Sequence, residues 1–257
     1  MIKRIVSTGR GGSGKTTFIA LVTKYLTCQN HSPLLIDLDN DQNLSDMLGV
    51  DLEKENVRTI ADVLFDLQKG NSYKEIQSMT MPEKIEYLFH SDCIYESKLF
   101  DLISLGAKWT SGCYCLPYDL LSELIPKRAN NYQYTLIDTP AGLEHLNRRV
   151  ISEMDDLFVI LDPSIKSLKN VQRTQKLVED LDIKYKNFYL VADHRFNEKQ
   201  EEYVQHVDGA SYLGKIEYDA NVEEYNLTGK SLLDLPQDSP AFLSVKGILA
   251  QAGYKEI

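Results

Sequence analysis

Four of the six residues from Gly9 to Gly14 are glycine, and Lys15 and Thr16 follow them directly. The segment Gly9-Arg10-Gly11-Gly12-Ser13-Gly14-Lys15-Thr16 fits the spacing GxxxxGK[ST]. It lies between a β-branched run, Ile2 to Ser7, and an apolar-periodic stretch, Thr16 to Leu26, that reads as a helix. Strand, glycine loop and helix in that order are the context in which this spacing holds phosphate. Glycines let backbone N–H groups curl around phosphate oxygens with no Cβ in the way. The helix N-terminus adds a favourable dipole. The motif therefore predicts a nucleotide-phosphate site at Gly9, Gly11, Gly12, Ser13, Gly14, Lys15, Thr16 and Thr17. Lys15 would reach the β/γ phosphates and Thr16 would hold Mg²⁺.

Further apolar runs recur along the chain, at Leu34 to Asp39, Leu99 to Leu105, Tyr134 to Asp138, Leu157 to Asp162 and Phe188 to Asp193. Helix-like segments separate the later ones, at Tyr118 to Arg128, Leu143 to Glu153 and Ser167 to Leu181. Continuous apolar runs alternating with helices predict an α/β fold, a mostly parallel sheet with helices on both faces. Nucleotide would then sit at the C-terminal strand ends. The expected organisation is a single domain over residues 1–257, with a mainly helical, charged insertion at about 51–97 that caps the sheet.

Charge narrows the partners. The 257 residues carry 28 Lys and Arg against 38 Asp and Glu, a formal net charge of −10. So acidic a chain is a poor match for nucleic acid, which needs clustered cations to displace counterions. No run approaches ~18 apolar residues, so no membrane span is expected. The N-terminus runs straight into the glycine loop, leaving no room for a signal peptide. Four cysteines without a leader predict a cytoplasmic protein with free or metal-bound thiols.

The inner glycines and the basic residue at position 10 resemble the deviant phosphate loop, KGGxGK[ST], of the P-loop NTPase class that contains MinD, ParA and the nitrogenase iron protein. The resemblance implies that the residue at position 10 reaches across a homodimer to the partner's nucleotide. Arg10 stands where the class has lysine, which keeps the charge and changes the geometry. It also implies that Asp37-Leu38-Asp39-Asn40 is switch I. Asp39 would position the attacking water and Asp37 would lie near Mg²⁺, with Asn40 in place of the usual proline. Asp138-Thr139-Pro140-Ala141-Gly142 would be switch II, Asp138 holding Mg²⁺ through water and Gly142 sensing the γ-phosphate. Base contacts are expected at Asp193 and in the loop at Pro236. ATP and ADP are the expected nucleotides. Asp193 could accept hydrogen bonds from guanine, so GTP stays open.

Gly112-Cys113-Tyr114-Cys115-Leu116-Pro117 is the second distinctive motif. Two thiolates can hold one side of a borderline metal, and a two-fold dimer would complete a four-thiolate site. By spacing alone, an uncoordinated or redox pair fits as well. Together with Gly9 to Thr17, Asp37 to Leu44, Asp138 to Leu146 and Gly229 to Pro236, this motif makes the chain similar to CooC-type ATPases. Those are nickel-insertion accessory proteins of carbon monoxide dehydrogenase and its acetyl-CoA synthase relatives. The resemblance implies Ni²⁺ or Zn²⁺ on Cys113 and Cys115 at a dimer interface. It also implies nucleotide-driven dimerisation and a nickel-enzyme client.

Two other functions compete. One is a ParA- or MinD-like switch ATPase with no metal role. The tail from Ser239 to Ile257, with only Lys246 and Lys255 as cations, suits a membrane poorly. The other is an iron-protein-like reductase, for which the expected cluster cysteine in switch II is replaced by Ala141.

Overall fold

The apolar runs pair into one eight-stranded sheet in the order β3-β4-β2-β5-β1-β6-β7-β8. The strands are β1 (Lys3–Gly9), β2 (Leu34–Asp37), β3 (Tyr95–Glu96), β4 (Asp101–Ser104), β5 (Tyr134–Asp138), β6 (Asp156–Leu161), β7 (Asn187–Ala192) and β8 (Ser211–Lys215). Only the two-residue β3 runs antiparallel to its neighbour. The structure is a computed structural model that describes residues 2–69, 76–107, 115–143, 146, 151 and 153–254, with backbone only for 115–120.

Helices cover both faces. They are α1 (Lys15–Cys28), α2 (Asn43–Met47), α3 (Ile60–Gln68), α4 (Met81–Asp92), α5 (Cys115–Ala129), α6 (Ile165–Asp180), α7 (Glu198–Val204), α8 (Ala220–Thr228) and α9 (Pro240–Gln251). Successive strand residues alternate between two buried layers, as the period of two requires. Val6, Ile36, Ile103, Ile137 and Val159 join the layer that includes residues of α3 to α6. Ile5, Leu35, Leu102, Leu136 and Phe158 join the layer that includes α1 and α9. In the second layer the Phe158 ring lies 5.0 Å from both Phe18 and Tyr189. Truncating Phe158 to alanine should cost about 3–5 kcal/mol.

The α/β architecture is the expected one, and the apolar runs became strands with small shifts at their ends. The run from Leu99 shortens to β4 because Ser97 Oγ accepts the N–H groups of Leu99 and Phe100, 3.2 and 3.1 Å away. That turn holds Leu99 off the ladder. The sheet also extends further than expected, through β3 and β8. Both are short, and β8 mixes exposed and half-buried residues. The helix expected at Leu143 to Glu153 lies mostly outside the described residues.

The 51–97 segment contributes α3, α4 and β3. Thr59 caps α3, its Oγ1 accepting the Asp62 N–H at 3.1 Å. Thr80 and Glu83 form the equivalent box on α4, the Glu83 carboxylate accepting the Thr80 N–H at 2.7 Å. The entry to α3 presses on the turn after β4. A Cβ on Gly106, whose φ is +76°, would stand 2.3 Å from the Thr59 side chain.

Candidate nucleotide site

Three registered neighbours set the site at the C-terminal edge of the sheet. Asp37 on β2 pairs with Asp138 on β5, and Asp138 pairs with Ser7 on β1. Beyond Ser7, β1 continues to Gly9 and opens the glycine loop. Gly9 has φ +149°, and a Cβ there would lie 2.4 Å from the Ile160 carbonyl oxygen of β6. Only glycine lets the loop leave so close to the neighbouring strand. Gly14, in the left-handed region with φ +92°, starts α1.

Inside the loop the chain bonds to itself. The Ser13 hydroxyl donates to the Arg10 carbonyl at 2.9 Å, and Lys15 Nζ donates to the same carbonyl at 3.1 Å. Lys15 is buried, and burial pulls its pKa down against the opposing charges of Asp138 and Asp39. A phosphate would add counter-charge to this ammonium and offset its burial. Gly11 approaches the segment after β5, with its built Cβ 3.6 Å from that of Ala141.

Asp37 and Asp138 are both fully buried. Asp37 Oδ1 accepts the Asp39 N–H at 2.9 Å and Oδ2 accepts the Leu44 N–H at 3.2 Å, which folds the segment after β2 back onto the strand. Burial, then the Asp138 charge, raise the Asp37 pKa well above the carboxylate range. Asp138 Oδ1 accepts the Ser7 hydroxyl at 2.9 Å. Burial pushes the Asp138 pKa up to about 6, opposed by the Thr16 and Ser7 hydroxyls and by Lys15. Its Oδ2 is buried with no hydrogen-bond partner. A strained carboxylate pair with an orphan oxygen beside a threonine hydroxyl suits a divalent cation, whose charge would relieve both acids. Thr16 and Asp138 would hold Mg²⁺, which would neutralise phosphate charge. Asp39 is half-buried, and its charge is felt at both Lys15 and Asp138.

Two arginine–aspartate pairs flank the loop. Arg10 Nη1 donates to Asp162 Oδ2 and to Ser164 Oγ, each at 2.9 Å. Arg195 is tied to Asp193 by its backbone N–H and its Nε, both at 2.9 Å, and its Nη2 donates to the Gly12 carbonyl at 3.0 Å. Beyond this pair lies a cavity of about 210 Å³ whose lining includes Gly14, Thr17, His194, Tyr218 and Asp219. The His194 and Tyr218 rings are 5.6 Å apart at one wall. The cavity touches the phosphate loop and has the size of a nucleobase pocket.

The structure brings together Gly9 through Thr17, Asp37, Asp39, Asp138 and Asp193. Gly142 follows β5 in the left-handed region, φ +95°, exposed and with open space at its Cα. Pro236 is not in the lining of the cavity, although its carbonyl accepts the Ser239 N–H at 3.1 Å and the Ser239 hydroxyl donates to Asp219 on the cavity wall. Its neighbour Gln237 donates to Cys28 Sγ at 3.4 Å, at the far end of α1, which is about 20 Å long. The loop over the cavity is instead Ile216 to Asp219. Its signal in the sequence was Asp219, which caps α8 by accepting the Asn221 N–H at 2.9 Å. Cys113 lies outside the described residues, and Cys115 begins α5 with its side chain not described. Of the remaining cysteines, Cys28 is exposed and Cys93 buried. Burial pushes the Cys93 thiol up to about 12, leaving it inert as a thiolate donor. Among the described residues no helix is long and apolar enough to cross a membrane.

Comparison with known proteins agrees with this geometry. An uncharacterised ATP-binding protein of Methanocaldococcus jannaschii is 36% identical over 253 residues, 95% of this chain and 96% of that protein. The carbon monoxide dehydrogenase accessory protein CooC of Rhodospirillum rubrum is 26% identical, over 93% of this chain and 91% of its own. Among solved structures, MinD of Pyrococcus horikoshii with Mg-ADP superposes with a TM-score of 0.70 at 20% identity, covering 98% of this chain and 96% of that one. A ParA family ATPase from Chlorobium tepidum gives 0.65 at 19% identity, covering 96% and 98%. The family described as an AAA domain matches residues 3–190. With a phosphate loop on a MinD- and ParA-like sheet, this chain belongs to that family of P-loop ATPases.

Proposed function

We propose that this protein hydrolyses ATP and couples nucleotide-dependent homodimerisation to nickel insertion into a carbon monoxide dehydrogenase or acetyl-CoA synthase client. The observation that carries the ATPase part is the buried Asp37–Asp138 pair, with its orphan oxygen, next to Lys15 and Thr16. Lys15 and the loop N–H groups bind the phosphates, Thr16 and Asp138 hold Mg²⁺, Asp39 orients water and Arg10 crosses to the partner's nucleotide. Adenine is favoured over guanine because the Asp193 carboxylate is already tied to Arg195, which leaves less of its acceptor capacity for a base.

The nickel part rests on the Cys113-x-Cys115 motif and on the 26% identity to CooC along most of both chains. Ni²⁺ or Zn²⁺ would be the cargo, shared by two copies. The test is light scattering with metal analysis on apo, ATP-bound and nickel-loaded protein, beside Cys113→Ala/Cys115→Ala. About one metal per dimer, the stoichiometry of a shared four-thiolate site, lost in the variant and tightened by nucleotide, is the expected result. A nucleotide-bound dimer that holds no metal would overturn it. That outcome would favour a switch ATPase, the second reading, which the likeness in fold to MinD and ParA supports.

A further inference from the structure

Gly11 and Gly12 stand side by side in the phosphate loop, so the peptide bonds around them can turn over at little cost. The Gly12–Ser13 peptide matters most for an anion. A trans peptide points its C=O and its N–H in opposite directions, so whatever holds the Gly12 carbonyl aims the Ser13 N–H. That carbonyl accepts Arg195 Nη2 at 3.0 Å. Across the same peptide, the Ser13 N–H turns inward and donates to the Arg10 carbonyl at 3.3 Å. The Ser13 hydroxyl and Lys15 Nζ donate to that carbonyl as well, at 2.9 and 3.1 Å. Donors thus converge inside the loop, where a phosphate oxygen would draw on them.

The fold equips Arg195 to hold this carbonyl. In the sheet β7 is two steps from β1, about 10 Å. The loop leaves β1 over β6, with Gly9 against the Ile160 carbonyl. A long side chain from the end of β7 closes the remaining gap. The backbone beneath it is fixed. Phe196 is buried and its N–H donates to the Asp193 carbonyl at 3.2 Å, while the Asp193 carboxylate accepts the Arg195 N–H at 2.9 Å. The same buried carboxylate accepts Nε at 2.9 Å and a hydrogen of Nη2. These bonds set the plane of the guanidinium and leave the other Nη2 hydrogen for Gly12. Asp193 also offsets the arginine's charge, so the contact acts by direction more than by attraction.

We infer that Arg195 is a positioning residue for phosphate. It pins the Gly12–Ser13 peptide in the orientation that presents the Ser13 N–H to the ligand, and it does so without touching the ligand's phosphates. A loop ordered in advance spares the ligand that ordering cost. The inference rests on the nucleotide reading above. It adds to the phosphate site a residue far outside the glycine motif.

The test compares wild type with Arg195→Met and Arg195→Lys. Methionine keeps the apolar stem and loses every donor, and lysine keeps a donor of similar reach. Mg-ATP and Mg-tripolyphosphate, which has no base, each compete with a fluorescent ADP at low and high salt. Steady-state hydrolysis gives kcat and KM, and melting of the nucleotide-free protein confirms folding. Methionine should weaken both ligands by the same factor, about tenfold, as fits the loss of one charge-assisted hydrogen bond. The loss should persist at high salt, because a held peptide is not screened. KM should rise in step while kcat stays within about twofold. Lysine should recover most of the affinity. A loss confined to Mg-ATP would make Arg195 a wall for the base, and a loss that vanishes at high salt would make it a charge for the phosphates. Either result would overturn the inference, as would a methionine variant that binds like wild type or a lysine variant no better than methionine. A wild type that binds neither ligand would overturn the nucleotide reading and this inference with it.

Discussion

Asp37 and Asp138 are paired in register across β2 and β5, both fully buried, and each raises the cost of ionising the pair. Their proton affinity is therefore higher in the folded protein than in the unfolded chain. The sign follows from linkage: where the native state holds more protons, stability falls as pH rises. For Asp138 that window runs from the ordinary carboxylate range up to about 6. The nucleotide-free protein should lose stability across it, and Mg²⁺–ATP should restore more at pH 8 than at pH 5. Below pH 6, Mg²⁺-dependent nucleotide affinity should weaken by about tenfold per unit for each proton displaced. Thermal denaturation and fluorescence titration across pH check both.

In the proposed dimer, Asp162 would compete with the partner's phosphate for Arg10. Arg10 Nη1 rests on its own Asp162 and Ser164, 2.9 Å from each, which holds the guanidinium on its own chain. Asp162→Asn should tighten nucleotide-dependent association several-fold, while lowering stability by no more than about 1 kcal/mol because the arginine is partly solvated. Adding Arg10→Ala should abolish the gain. Light scattering over a protein dilution series separates the two variants.

Two glycines in one loop should respond differently to alanine. Gly9→Ala meets the Ile160 carbonyl in an unfavourable backbone region and should cost about 2–4 kcal/mol. Gly12→Ala meets no atom within 4 Å and pays only for its φ of +72°, about 1 kcal/mol. Urea denaturation of both variants gives the ranking, which reverses if backbone strain outweighs the clash.

Asp39 should matter to turnover more than to binding. It is half-buried beside Lys15 and Asp138, and its one hydrogen bond within the loop, accepted by Oδ1 from the Asp41 N–H at 3.2 Å, is long and exposed. Asp39→Ala should lower kcat by about 10²-fold or more with little change in KM, as expected for loss of a group that orients or deprotonates water. A steady-state ATPase assay reads this directly.

The phosphate side of the site was legible in the sequence because its chemistry is local. Glycine spacing, a lysine and a threonine are contiguous, and the strand before and helix after them carry strong periodicity. The carboxylates were legible as ends of apolar runs, but their registered contact needed the sheet order. The base side was not legible in the same way. Asp193, His194 and Arg195 are contiguous, but Tyr218 joins them only because β7 and β8 are neighbours, and β8 has too few buried residues to be seen as a strand. Pro236 sits in a loop that looked suitable in composition, yet the packing of Leu232 and Leu235 draws that segment to α1. Short edge strands and loops positioned by distant packing leave little trace in a local pattern.

The excursion between β2 and β4 also decides how the sheet ends. Without it, β4 would offer a row of free N–H and C=O groups to any other extended chain. Instead the chain returns as β3, runs antiparallel for two residues and stops, with Glu96 held by Arg128 at 2.7 Å. So brief and charged a border gives a passing strand little to pair with. A truncated form lacking residues 51–97 would therefore be endangered less by loss of the candidate nucleotide site than by aggregation through β4.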